Sequence, residues 1–329
     1  MARIGYSFRF LRRRRRRGAG RPGPPAPFVV GVGRSGTTLL RLMLDAHPAL
    51  TIPPETHFVP SLIQASGTLR FNPGRAVDCI VEGRHRRWPD FGLSGDELLA
   101  ELRAIPHFNA PDTLRTFYRL YAEKQGKPRW GDKTPDYVRK MRKIQSTLPE
   151  ARFIHLIRDG RDAGLSHNAR VVNRGVREPL PAAELARRWV HRIETARETA
   201  AGLTGYLELR YEDLVTDPDP ALRKACELIE LDYDPAMLSY HERAEERLQE
   251  MAGELPAVAG RPAREAGERV AAHVMATKPP SRERIARWKE EMSAADVAEF
   301  EATGGDLLAE LGYETLSGRS TPGARPTQD

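Results

Sequence analysis

The clearest order in the chain is an uninterrupted apolar run, Phe28-Val29-Val30-Gly31-Val32, that enters a glycine-rich turn and then a helix-period pattern over residues 37–46. A short apolar run bounded by turn-formers predicts a strand buried on both faces. His47-Pro48 closes the helix, because the residue ahead of a proline is pushed out of the α region. Residues 50–52 predict a short strand running into Pro53-Pro54. Residues 152–157 predict a second buried strand, followed by Arg158-Asp159-Gly160-Arg161-Asp162 and a helix, and residues 206–209 predict a third. Helical patterns cover residues 96–104, 113–123, 182–200, 220–231 and 294–311. In the third of these, Leu185, Trp189, Ile193 and Ala196 form one apolar stripe. Strands alternating with helices predict an α/β fold with a central parallel sheet flanked by helices.

The boundaries of this body come from composition. Residues 1–27 hold nine arginines and no acid and end in a proline-rich spacer, which predicts a disordered arm. The folded domain is expected over residues 28–315 and a disordered tail over 316–329. Within the domain, residues 58–129 are irregular apart from the two helical pieces at 96–104 and 113–123, and read as a variable lobe that receives the acceptor substrate.

Charge changes the picture less than it first suggests. The net charge is +7, but the arm alone carries +9, which leaves −2 for the rest. The arm could touch an anionic surface weakly, and a nearly neutral body gives no reason to expect a dedicated nucleic-acid partner. No run of about 18 apolar residues occurs, so no membrane-spanning helix is predicted. The two cysteines, Cys79 and Cys226, lie far apart without metal-ligand spacing, so no metal is expected and a reducing, cytoplasmic compartment is.

The turn carries the chemistry. A strand, a glycine-rich turn and a helix start aim backbone amides at an anion. Gly31 and Gly36 have the separation of the glycines in a Walker A loop, yet Thr37 stands where that loop has lysine, and Arg34 supplies a cation two residues before Gly36. A P-loop kinase of a small molecule or nucleotide is therefore an alternative that lacks its lysine. A nucleic-acid-binding protein working through the arm is another.

The segment Gly33-Arg34-Ser35-Gly36-Thr37-Thr38-Leu39-Leu40, with Leu44-Asp45-Ala46-His47-Pro48 after it, resembles the 5′-phosphosulfate loop of sulfotransferases that use 3′-phosphoadenosine 5′-phosphosulfate (PAPS). It is most similar to the tyrosylprotein sulfotransferases and their bacterial relatives. The resemblance implies a P-loop-like sulfotransferase fold and transfer of a sulfuryl group to a hydroxyl on tyrosine, carbohydrate, lipid or a small molecule. It implies that Gly33, Arg34, Ser35, Gly36, Thr37 and Thr38 hold the phosphosulfate. Arg158 at the end of the second strand, Ser166 eight residues on and Arg170 one helical turn further would hold the 3′-phosphate.

Glu55, 21 residues after Arg34, matches the glutamate that serves as general base in the protein-tyrosine branch, and His57 is its rival for the role. Lys133, in Trp130-Gly131-Asp132-Lys133-Thr134-Pro135, matches the lysine that steadies charge in the transition state, with Arg34 assisting. Asp132 would hold that ammonium or cap a helix starting near Pro135. Tyr211 in Tyr211-Glu212-Asp213-Leu214 resembles a tyrosine beside the nucleotide. Lys278 and Arg287 fall in a late segment resembling the loop that closes over it. Arg70, Arg75, Arg84, Arg86 and Arg87 in the lobe could attract an anionic acceptor.

Overall fold

The computed structural model describes residues 22–83, 85–175, 178–257 and 263–316. The arm up to Arg21, the lobe residue Arg84 and the tail beyond Leu316 lie outside these residues.

Four parallel strands form the central sheet in the order β4-β1-β5-β6: β1 (Ala26–Gly31), β4 (Asp132–Lys133), β5 (Ala151–Ile157) and β6 (Tyr206–Arg210). A separate parallel pair joins β2 (Leu50–Thr51) to β3 (Arg129–Trp130). Strand β1 starts at Ala26 rather than Phe28, since Ala26 and Pro27 already pair with Ala151 and Arg152. Pro27 has no N–H to give the ladder and is accommodated because it lies at the strand's start.

Alternation of side chains along the inner strands explains why they read as continuous apolar runs. Phe28, Val30 and Phe153 face a core shared with Phe117, Tyr118 and Tyr121 of the helix Ala110–Lys124. Val29, Ile154 and Leu156 face the other way, onto Leu40, Met43 and Leu44 of helix α1 (Thr37–Asp45) and Leu222 of the helix Pro218–Leu228. With apolar packing on both faces, no polar alternation can appear in the sequence. A third core joins Trp189 and Ile193 of the helix Ala182–Ala200 to Phe300 and Leu308 of the helix Ala294–Glu310.

The lobe is more regular than expected. Besides the helices Gly95–Arg103 and Ala110–Lys124, it contains Val59–Ala65 and Pro73–Val81. The latter begins with Asn72 accepting from Arg75 N and Pro73 in the first turn, a start pattern that was readable. The helix expected over 220–231 is instead Tyr211–Thr216 followed by Pro218–Leu228. Among the described residues no helix is long and apolar enough to cross a membrane.

The topology positions the site. After β1 the chain lays β4 on one side of it and then returns to lay β5 and β6 on the other. Such a reversal of strand order opens a crevice at the carboxyl ends of the strands, where open α/β sheets take ligands.

Candidate active site

Each of the four strands of the central sheet delivers a residue to this crevice. Beyond β1, the turn folds back through Ser35 N donating to Val32 O at 3.2 Å, and Arg34 takes a left-handed φ of 75°. Gly36 opens α1 at φ 92°, and no side chain caps the helix, which leaves its first-turn amides to an incoming anion. Glycine is required at that position for a second reason: a Cβ there would lie 2.4 Å from Tyr211 Cδ2. Ser35, Thr37 and Thr38 are buried, and the Ser35 hydroxyl has no hydrogen-bond partner.

The end of β5 meets this turn directly. Arg34 Nε donates to Ser166 Oγ at 3.0 Å, and Arg158 Nη1 donates to Arg34 O at 3.3 Å. The Arg158 guanidinium stands 4.6 Å from the Tyr211 ring centroid, beyond the end of β6, and its buried Nε is unpartnered. Burial, followed by the nearby charges of Arg170, Arg284 and Arg158, pushes the Arg34 guanidinium down to about 10, with Glu55 opposing. Burial also lowers Arg170, and Glu55 is the largest opposing influence on it. A buried arginine, Arg158, among the half-buried Arg34, Arg170 and Arg284, with the Ser35 hydroxyl and Arg158 Nε unpartnered, suits a polyanion. Asp162 offsets part of that charge, 3.7 Å from Arg158 Nη2, whereas Asp159 is turned to Arg161. Asp159 caps the helix Gly160–Arg174 and pairs with Arg161, and Asp162 accepts from Ala286 N and Trp288 N.

From β4, Lys133 Nζ donates to Glu55 Oε1 at 2.7 Å and lies 3.4 Å from Thr38 Oγ1, joining the candidate base to the phosphate turn. His57 Nε2 is 2.9 Å from Glu55 Oε2, so the two rival bases are hydrogen-bonded to each other. Burial pushes the Glu55 carboxyl up, but the Lys133 ammonium, the His57 hydrogen bond and more distant charge from Arg87 together hold it well below the usual carboxylate range. Thr56 between them is anchored to buried groups, its hydroxyl donating to Asp132 Oδ2 at 2.7 Å and its amide donating to Thr134 Oγ1 at 3.1 Å. Asp132 therefore does neither thing expected of it. It accepts from Thr56 and from Tyr118 OH at 2.8 Å, and the segment after Thr134 is a 3-10 turn, Pro135–Arg139, without a side-chain cap.

The late segment covers the end of the strand that carries Arg158. Arg287 forms an ion pair with Glu291 at 2.6 Å, and Lys278 is exposed, contributing its carbonyl to Tyr240 OH. It is Arg284 whose carbonyl accepts from Arg158 and whose charge bears on Arg34 and Tyr211. His273 is another residue the sequence reading missed. Burial and then the charges of Lys133 and Arg34 push it down to about 3, so it is a neutral imidazole beside the centre. In the lobe, Arg70, Arg75 and Arg86 are exposed, whereas Arg87 is mostly buried, near Asp90 at 3.5 Å and within reach of Glu55.

Residues 25–235 match the profile of the sulfotransferase family. The protein-tyrosine sulfotransferase of Drosophila melanogaster is 26% identical over 222 residues, covering 66% of this chain and 40% of that protein. Protein-tyrosine sulfotransferase 1 of Danio rerio is 27% identical over 293 residues, covering 88% and 72%. The chain thus spans less than half of the fly protein and about three quarters of the fish one. Among solved structures, the sulfotransferase domain from the curacin biosynthetic pathway superposes with a TM-score of 0.59 at 19% identity, covering 90% of this chain and 100% of that domain. The family profile covers well over half of the sequence, with the parallel sheet and the phosphate turn inside it, and the chain belongs to the sulfotransferase family.

Proposed function

We propose that the protein moves a sulfuryl group from PAPS to a hydroxyl acceptor and releases 3′,5′-ADP. The observation that carries this reading is the 3.0 Å contact between Arg34 of the first strand's turn and Ser166 beyond the second, which merges two anion-binding elements into one site. A donor with phosphate at both its 5′ and 3′ ends is the nucleotide that would use both. The turn amides, Arg34, Ser35, Thr37 and Thr38 hold the 5′ end. Arg158, Ser166 and Arg170 hold the 3′-phosphate, and Tyr211 packs beneath Arg158.

In the transfer, the acceptor oxygen bonds to sulfur as the sulfur–oxygen bond to the 5′-phosphate breaks, and that phosphate keeps the electron pair. Glu55, ionised and fixed at both oxygens, takes the acceptor proton. Lys133 lies between Glu55 and the turn hydroxyl of Thr38, where it stabilises charge moving onto the leaving phosphate, an effect worth about 3–4 kcal/mol of barrier for a well-placed donor. Positioning and fixed cations carry this in-line displacement. The acceptor hydroxyl belongs to tyrosine, carbohydrate, lipid or a small molecule, and the lobe over residues 58–129 is where it would enter.

Thermal unfolding with 3′,5′-ADP, against ATP with magnesium, tests the donor. Stabilisation by 3′,5′-ADP alone is the expected result, and stabilisation by ATP with magnesium alone would point to a kinase. Labelled PAPS offered with a tyrosine peptide, an oligosaccharide, a glycolipid and a phenol then identifies the acceptor class.

A further inference from the structure

Glu55 is held by two groups, and only one of them is a cation of the transfer machinery. Lys133 takes Oε1, while His57 takes Oε2 at 2.9 Å. A carboxylate can only accept, so Nε2 of His57 carries the proton and donates it to Glu55. The imidazole is itself fixed. Its ring stacks on that of His85 with centroids 4.1 Å apart and planes 5° from parallel, and its side chain is 11% exposed. Its backbone adopts φ 54°, a left-handed conformation that a non-glycine residue keeps only where the surroundings enforce it. The enforcement is visible next door, where Thr56 is tied to Asp132, Thr134 and Tyr137.

From this geometry we propose that His57 is a positioning residue: by donating Nε2–H to Glu55, on a ring clamped by His85, it fixes the carboxylate's orientation toward the acceptor hydroxyl. The inference rests on the reading of Glu55 as general base. A base held at one oxygen only can rotate about its terminal torsion, which is soft, and lose its alignment with the acceptor proton. The second grip removes that freedom. It also favours the ionised form, in concert with Lys133 on β4 and Arg87 in the lobe. The other charged or titratable groups bearing on Glu55 are Arg34 in the turn, Arg170 on the helix Gly160–Arg174 and His273 in the late segment. Those facing His57 are Glu55, His85 and Asp132.

The test compares His57→Ala with His57→Gln, whose amide can still donate at the Nε2 position, in the full chain saturated with 3′,5′-ADP or PAPS. One readout is the Glu55 carboxyl titration by carbon-13 NMR, its resonance identified by its loss in Glu55→Gln, which needs no acceptor. The other is turnover of PAPS with 4-nitrophenol as the probe hydroxyl. In His57→Ala the Glu55 titration should move to higher pH and turnover should fall about 10- to 100-fold, with 3′,5′-ADP affinity unchanged as proof of folding. His57→Gln should restore both. An unmoved Glu55 titration in His57→Ala, with Glu55→Ala inactive, overturns the positioning role alone. Both His57 variants inactive with Glu55→Ala active would instead make His57 the base and overturn the underlying assignment.

Discussion

Two glycines of the phosphate turn should fail in different ways when each is replaced by alanine, one through stability and binding and the other through binding alone. At Gly36 the new methyl meets two obstacles. The backbone sits at φ 92°, where an L-residue costs about 1–2 kcal/mol, and the Cβ would lie 2.4 and 2.7 Å from Tyr211 Cδ2 and Cε2. The ring must move, which loosens its 4.6 Å stacking under Arg158, a contact worth about 0.5–2 kcal/mol. Together these give about 1.5–4 kcal/mol, or a fall in Tm of about 3–7 °C for a domain of this size. Since Tyr211 and Arg158 both line the proposed nucleotide site, 3′,5′-ADP affinity should fall with it. At Gly33 no heavy atom lies within 4 Å of an added Cβ, and the backbone is not left-handed. Gly33→Ala should therefore change stability by no more than about 0.5 kcal/mol. Its methyl enters the open space where bound phosphate would approach the backbone, and 3′,5′-ADP affinity should drop about 10-fold or more. Differential scanning fluorimetry and calorimetric titration on both variants decide the matter. Wild-type stability in Gly36→Ala, or equal destabilisation in the two, would show that Tyr211 does not hold Gly36 in place.

Other perturbations have equally definite signs. Lys133→Ala should lower turnover about 10²- to 10³-fold, and cost about 1–3 kcal/mol because Glu55, partly exposed, is left without its ammonium partner. Adding Glu55→Gln should recover the stability in denaturant melts but not the turnover. Ser166→Ala removes the acceptor of Arg34 Nε, and 3′,5′-ADP affinity measured by titration calorimetry should fall about 10-fold. Burial holds His155 at about 4 and His273 at about 3, both below the ordinary 6.5. The unfolded chain thus binds protons at these sites below about pH 6.5 that the folded chain does not, so stability is full above 6.5 and declines as pH falls toward 4. His155→Gln should flatten that decline by about 1.4 kcal/mol per pH unit in urea melts run between pH 6.5 and 4.

The sheet was legible because its inner strands are apolar on both faces: Val29 faces one core and Phe28 and Val30 the other, so β1 announces itself as an unbroken run. Strands β3 and β4 gave no such signal, being two residues each, with two buried charged side chains, Asp132 and Lys133, forming β4. Burial of a charge can be anticipated only from its partner, and the partners are distant: Lys133 meets Glu55 and Thr38, and Asp132 meets Thr56 and Tyr118. The turn could be placed because it follows a buried strand with its glycines at a fixed spacing, and Arg158 and Ser166 because their positions after the second strand match the pattern of the family the chain resembles. Arg284 and His273 could not, since the late segment has little regular structure and its register over the site is set by Asp162 gripping the amides of Ala286 and Trp288. The same tertiary grip brings the Arg284 carbonyl to Arg158.

In the proposed transfer Glu55 takes the acceptor's proton while the arginines and the turn hold the donor without it. Transfer of label from PAPS by Glu55→Ala, measured beside its affinity for 3′,5′-ADP, tests this most directly. Transfer should be lost while nucleotide affinity stays within a few-fold of the unaltered protein. Wild-type turnover in that variant would rule Glu55 out as the base.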